Sequence, residues 1–134
     1  MRILPILLLF ALIVGCTDAG DPRLEGTWVS DRERTLASLS SESAFSEEQL
    51  SFLQRNLGEL QFHFSGSKTA VSFTSDPDEP LQWEPYKVRS FDEESVSISI
   101  KSGARVEYTF DGNCIYMQAA WGYREHFCRP SDES

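Results

Sequence analysis

Apolar and polar residues alternate along most of the second half of this chain. Leu60, Phe62 and Phe64 interleave with Gln61, His63 and Ser65, and Val71 and Phe73 with Ser72 and Thr74. Val96, Ile98 and Ile100 alternate with Ser95, Ser97 and Ser99, and Val106, Tyr108 and Phe110 with Glu107 and Thr109. A period of two sends successive side chains to opposite faces of a pleated strand. These runs therefore predict antiparallel strands with one buried and one wet face. Turn formers separate them: Gly66-Ser67, Ser102-Gly103 and Asp111-Gly112 predict hairpins. Asp76-Pro77-Asp78-Glu79-Pro80 is a longer, stiffer loop. A strand over residues 81–90 would carry Trp83, Tyr86 and Val88. Pro85 has no N–H to donate, which confines its part of that strand to an edge or a bulge.

Before Leu60 the pattern is different. Trp28 and Val29 suggest a short first strand. Ser30 and Glu33 have the spacing of a capping box, predicting a helix over Asp31–Leu39 with Leu36 and Leu39 on one side. Ser46 and Gln49 repeat that spacing. Leu50, Leu53 and Leu57 then follow at intervals of three and four, and Gly58 can end the helix in a left-handed conformation. A helix over Glu47–Leu57 follows, with Phe45 and Leu50 as a hydrophobic staple and the leucine stripe packed on the core.

The last strands read as a hairpin of Cys114–Met117 and Tyr123–Cys128, turning at Trp121-Gly122. A turn centred on Trp121 places Cys114 directly across from Cys128. Opposed residues in an antiparallel ladder lie about 4.5–5.5 Å apart, near the disulfide range. Outside the reducing cytosol such a pair oxidises. Two free thiols or a metal pair are the alternatives, and two cysteines without convergent histidines make a poor zinc site.

Residues 1–15 have the form of a targeting peptide. Met1-Arg2 carries one positive charge, and Ile3 to Val14 are apolar apart from Pro5. Twelve residues are too few to cross a bilayer core, which needs roughly 20 in a helix. Ile13-Val14-Gly15-Cys16 resembles the lipobox of bacterial lipoproteins. The resemblance implies cleavage before Cys16, a diacylglycerol on its sulfur and an acyl group on its new amine. It also implies attachment to the membrane through that lipid, with no other cofactor. Thr17 after the cysteine, rather than aspartate, resembles the sorting signal for the outer membrane facing the periplasm. Residues 16–23 would then be a lipidated tether, 24–130 a single β-rich domain, and 131–134 a tail.

Charge narrows the partners. The chain has 12 basic and 21 acidic side chains. From Cys16 onward only Arg2 is lost, so the mature balance is −10. An acidic body repels phosphate backbones, which excludes nucleic acid as an expected partner, and it offers no broad basic surface to anionic lipid. Catalytic chemistry is sparse. The chain has no nucleophile elbow, phosphate loop or zinc motif, and its histidines, His63 and His126, sit in strand patterns. Asp76, Asp78 and Glu79 lack the glycine and distal glutamate of an EF-hand, so no metal site is expected. Asp92-Glu93-Glu94 reads as a charged turn. Trp83, Tyr86, Trp121 and Tyr123 either face a ligand or fill the core, and core filling is preferred.

Gly26-Thr27-Trp28 on a first strand, a short helical pair, and then a meander of hairpins resemble the calycins. The helical pair is similar to that of fatty-acid-binding proteins, and the Gly-x-Trp motif to lipocalins. The resemblance implies that Trp28 closes one barrel end beneath a late arginine, Arg124 or Arg129. The expected fold is mainly β with an N-terminal helical pair: an antiparallel meander or small eight-stranded lipocalin-like barrel. Eight strands leave room for side chains or for one small ligand. Phe62, Phe64, Phe73, Tyr108, Phe110 and Phe127 are expected to point inward and fill it, with the leucine helix plugging one end. The expected function is that of an envelope lipoprotein, not an enzyme, that binds a small apolar ligand. The alternative is a non-catalytic protein-binding module, such as an envelope assembly factor or an inhibitor of an envelope-directed enzyme.

Overall fold

The computed structural model describes residues 20–39, 45–119 and 122–130. Eight strands run in sequence order round a closed antiparallel barrel. They are β1 (Gly26–Ser30), β2 (Leu60–Ser65), β3 (Lys68–Phe73), β4 (Glu84–Phe91), β5 (Ser95–Ile100), β6 (Arg105–Asp111), β7 (Cys114–Gln118) and β8 (Arg124–Cys128). Helices α1 (Arg32–Ser38) and α2 (Glu47–Asn56) lie between β1 and β2. The period-two runs are the strands, as their pattern predicts. Gly66 and Gly112 each open a two-residue turn at φ +59, the left-handed region that tight hairpin turns require.

Inward-facing Leu24, Trp28, Phe62, Phe64, Tyr86, Val96, Ile98, Tyr108, Ile115 and Phe127 form the barrel core. A second, smaller cluster of Leu39, Leu53 and Leu57, joined by Leu36, Phe45 and Tyr123, holds the helices at the upper end. The lower end carries the turns at Gly66 and Gly112 and the N-terminal segment. The Cys114–Cys128 disulfide links β7 to β8 at directly opposed positions.

Several expectations need correction. The cap of α1 is Asp31, whose carboxylate accepts from the Arg34 N–H at 3.0 Å, and not Ser30. Ser30 is the last residue of β1 and its parity turns it inward, away from the helix. The box at α2 forms as expected, but Leu50 is exposed, and Phe45 packs against Tyr123 instead. Phe73 shares the inward parity of Leu60, yet it is 51% exposed because β4 pairs with β3 only as far as Thr69 and never reaches it. Gly20 to Arg23, read as tether, pack on the barrel. The Asp21 N–H donates to Tyr86 Oη, and Pro22–Leu24 form a 3-10 turn ending in the buried Leu24. Pro85 is tolerated because its nitrogen faces β5 beyond the first β4–β5 pair, Tyr86 with Ile100. The targeting peptide, Cys16, Trp121 and the tail lie outside the described residues.

Candidate functional site

The lower end of the barrel is shut. Trp28 is buried, and its indole N–H donates to the Leu24 carbonyl at 2.8 Å. The Arg129 guanidinium lies 4.1 Å from the Trp28 ring centroid and donates to the carbonyls of Glu25 and Arg23. Gly26 fits beneath it for two reasons. Its φ is +111, and a Cβ there would lie 2.8 Å from Arg129 Nη1. Arg124, the other candidate, is elsewhere: it lies over the Tyr116 ring on the outer wall at 4.9 Å.

Above this floor the interior is occupied by rings. The Phe62 and Phe127 centroids are 4.5 Å apart, Phe64 and Tyr86 are 5.6 Å apart, and Tyr108 lies 6.0 Å from both Phe62 and Phe64. These are the separations of packed aromatic neighbours. Burial pushes the Tyr108 phenol far above its ordinary range. Near the upper end one carboxylate also faces inward. Glu125 is opposed to Met117 and is 8% exposed. Ser30 Oγ donates to it at 3.3 Å and accepts from the Gly58 N–H at 3.1 Å. Burial raises the Glu125 pKa, and the Ser30 hydrogen bond opposes the rise.

The wall is thin at three seams. β1 and β8 share two paired positions, β3 and β4 two, and β6 and β7 three. The first is sealed by α1. Beyond Ser30 the β8 edge is satisfied by Asp31, Thr35 and Ser38, which bond the backbone of His126 and Arg124. The second is bare. The third opens into a groove.

That groove has a volume of about 490 Å³ and is lined by Arg105, Val106, Glu107, Thr109, Tyr116, Met117, Gln118 and Arg124. Its origin is a ladder that stops early. Pairing ends at Thr109 with Tyr116, although the register would set Glu107 against Gln118. The alternation of an antiparallel ladder turns the backbone N–H and C=O of both residues into the parting. Val106 and Met117 belong to the inner face and touch the core, so they form an apolar floor. Arg105 and Arg124 stand at the rim, and neither forms an ion pair among the described residues. With Glu107 the groove carries one net positive charge, in a chain of net charge −9. An apolar floor with a few convergent polar groups is the usual make-up of a small-molecule site, and the volume falls within the usual range of roughly 300–1,000 Å³.

The other sequence candidates do not gather here. His63, on the outer face, bonds Thr27 and Ser72 and meets the edge of Trp83 at 6.5 Å. Burial lowers its pKa. His126 lies 5.4 Å from the Tyr116 ring, and its buried Nδ1 has no hydrogen-bond partner among the described residues. Burial and then Arg34 lower its pKa, against the pull of Asp111 and Asp31. Trp83, Tyr86 and Tyr123 occupy three separate places: outer wall, core and helix cluster. Among the described residues no three His, Cys, Asp or Glu side chains converge as a metal set. Sequence reasoning missed the groove. Arg105 and Gln118 stand out only once the early parting of β6 and β7 is known. Comparison with known protein families, curated proteins and solved structures finds no match to this chain.

Proposed function

We propose that this protein is a lipid-anchored component of the bacterial cell envelope, held through acylated Cys16 at the periplasmic face of the outer membrane. Its barrel is a non-catalytic binding module for a small amphiphilic anion. The observation that carries this reading is the groove between β6 and β7: two guanidiniums that form no ion pair among the described residues, above an apolar floor. The aromatic packing of the interior moves the expected ligand from the barrel lumen to its wall. A carboxylate or phosphate head would lie between Arg105 and Arg124, which suit planar, charge-assisted hydrogen bonds. Its apolar tail would cover Val106 and Met117, with the Tyr116 ring alongside.

Calorimetric titration with sodium octanoate and with octanol tests the reading. Octanoate should bind about tenfold more tightly, the worth of one charge-assisted contact, and the advantage should vanish in Arg105→Gln/Arg124→Gln. Equal affinity for the two, or no saturable binding, would count against the groove as an anion site.

A further inference from the structure

The seam between β3 and β4 differs from the other two. Pairing there is confined to Lys68 with Pro85 and Thr69 with Glu84. The Tyr86 N–H donates to the Ser67 carbonyl at 2.9 Å, which fixes the direction of the alternation. Ser67, Thr69, Val71 and Phe73 turn their backbone groups toward β4, while Lys68, Ala70 and Ser72 turn theirs toward β2. Past Thr69 no described residue continues the ladder. Among the described residues the N–H and C=O of Val71 and the N–H of Phe73 have no hydrogen-bond partner, and the Phe73 carbonyl accepts only the Asp76 N–H.

The side chains on this edge are unusual for a bare strand. Val71 and Phe73 are 49% and 51% exposed although they stand on the inward-facing side. Edge strands are ordinarily blunted by lysine, proline, a bulge or a covering segment. Ala70-Val71-Ser72-Phe73 contains neither lysine nor proline, and residues 74–80 that follow are all exposed.

We infer that this edge takes an added strand from another protein. The partner is an extended segment with alternate apolar residues and basic flanks. Its backbone would complete the ladder at Val71 and Phe73, and its apolar side chains would cover theirs, as in other cases of strand addition. Charge selects the partner. Glu59, which bonds Thr74, and Asp76, whose N–H meets the Phe73 carbonyl, flank the upper end of the edge, with Asp78 and Glu79 exposed in the loop that follows, and Glu84 stands at the lower end beside Lys68. A second copy of this chain would set those carboxylates against their own kind, whereas lysines or arginines would complement them. The inference is independent of the groove, which lies across β6 and β7.

The test uses two short synthetic peptides of alternating valine and threonine, one ended by lysines and one by glutamates. They are titrated into the labelled protein, with amide shifts and hydrogen exchange as readouts. The basic peptide should bind, shift the Val71 and Phe73 amides and slow their exchange. The acidic peptide should bind about tenfold more weakly, and the difference should shrink as salt is raised. Val71→Pro should abolish binding and leave the unfolding midpoint in place, because the lost N–H faces the unpaired side. Should that variant fold poorly, Phe73→Glu adds like charge on the same edge and should also abolish binding. No change at Val71 or Phe73 with about 1 mM basic peptide, a range that would detect even weak association, overturns the inference. So does protection of these amides that depends on protein concentration alone, which indicates a second copy, or on added phosphatidylcholine vesicles alone, which indicates a membrane.

Discussion

The guanidinium of Arg129 sits 4.1 Å over the ring of Trp28 and, through its two terminal nitrogens, ties the carbonyls of Glu25 and Arg23 to the end of the chain. One side chain thereby locks the entry to β1, the 3-10 turn before it and the exit from β8. Arg129→Ala removes two charge-assisted hydrogen bonds and one cation–π contact. It should lower stability by about 2–3 kcal/mol in urea unfolding. Gly26→Ala should destabilise as well, through the positive φ and the contact with Arg129. Arg124→Ala, which leaves Trp28 untouched, should change stability by no more than about 0.5 kcal/mol.

The disulfide should matter through the unfolded chain. Cys114 and Cys128 are 14 residues apart. A loop of about this length is worth roughly 3 kcal/mol in the chain-entropy model. Cys114→Ala/Cys128→Ala should lower the urea midpoint accordingly. Unchanged stability on reduction would contradict this.

Buried ionisable groups give the barrel two opposing pH dependences. Burial raises the Glu125 pKa, so the folded state holds that proton more tightly than the unfolded chain. Its contribution is fully present below the unfolded carboxyl pKa, about 4.3, and is lost as pH rises through the folded value. Glu125→Gln should therefore stabilise by about 1 kcal/mol at pH 8, with the gain fading toward pH 4. His63 and His126 act in the other direction. Burial lowers both, so their contribution is present above about pH 6.5 and is lost as pH falls through the folded values. Thermal unfolding of His63→Gln/His126→Gln should show a flatter acid limb than the native chain.

Sequence made the barrel legible, because period-two alternation survives in strands whose two faces meet different solvents. Val96, Ile98 and Ile100 are the plainest case: all three face inward, set apart by serines. The opposition of Cys114 and Cys128 was also readable, since a hairpin register follows from its turn. Ser30 was not. It meets the local rule for a helix cap, but strand parity turns it to Glu125, and Asp31 caps instead. Phe73 failed for a related reason. Alternation tells which face a residue occupies and not whether a neighbouring strand is long enough to cover it. The groove shares that origin. Its residues come from strands that part early, and pairing length is a property of the whole barrel.

The proposed anchoring through Cys16 has its own test. Cys16→Ala expressed in bacteria should neither incorporate labelled palmitate nor remain with membranes after fractionation. A single acyl chain holds a protein only weakly, whereas two or more hold it stably, so loss of the site should release the whole population. Palmitate incorporation by the variant would refute the assignment.

Amide-shift mapping of the labelled protein with sodium octanoate distinguishes the proposed binding in the barrel wall from binding in the lumen. Binding in the wall should give saturable shifts centred on Val106, Glu107, Met117, Gln118 and Arg124, with Phe62, Phe64 and Phe127 unmoved. Shifts centred on those three core phenylalanines would contradict it, as would no saturable shift in the groove.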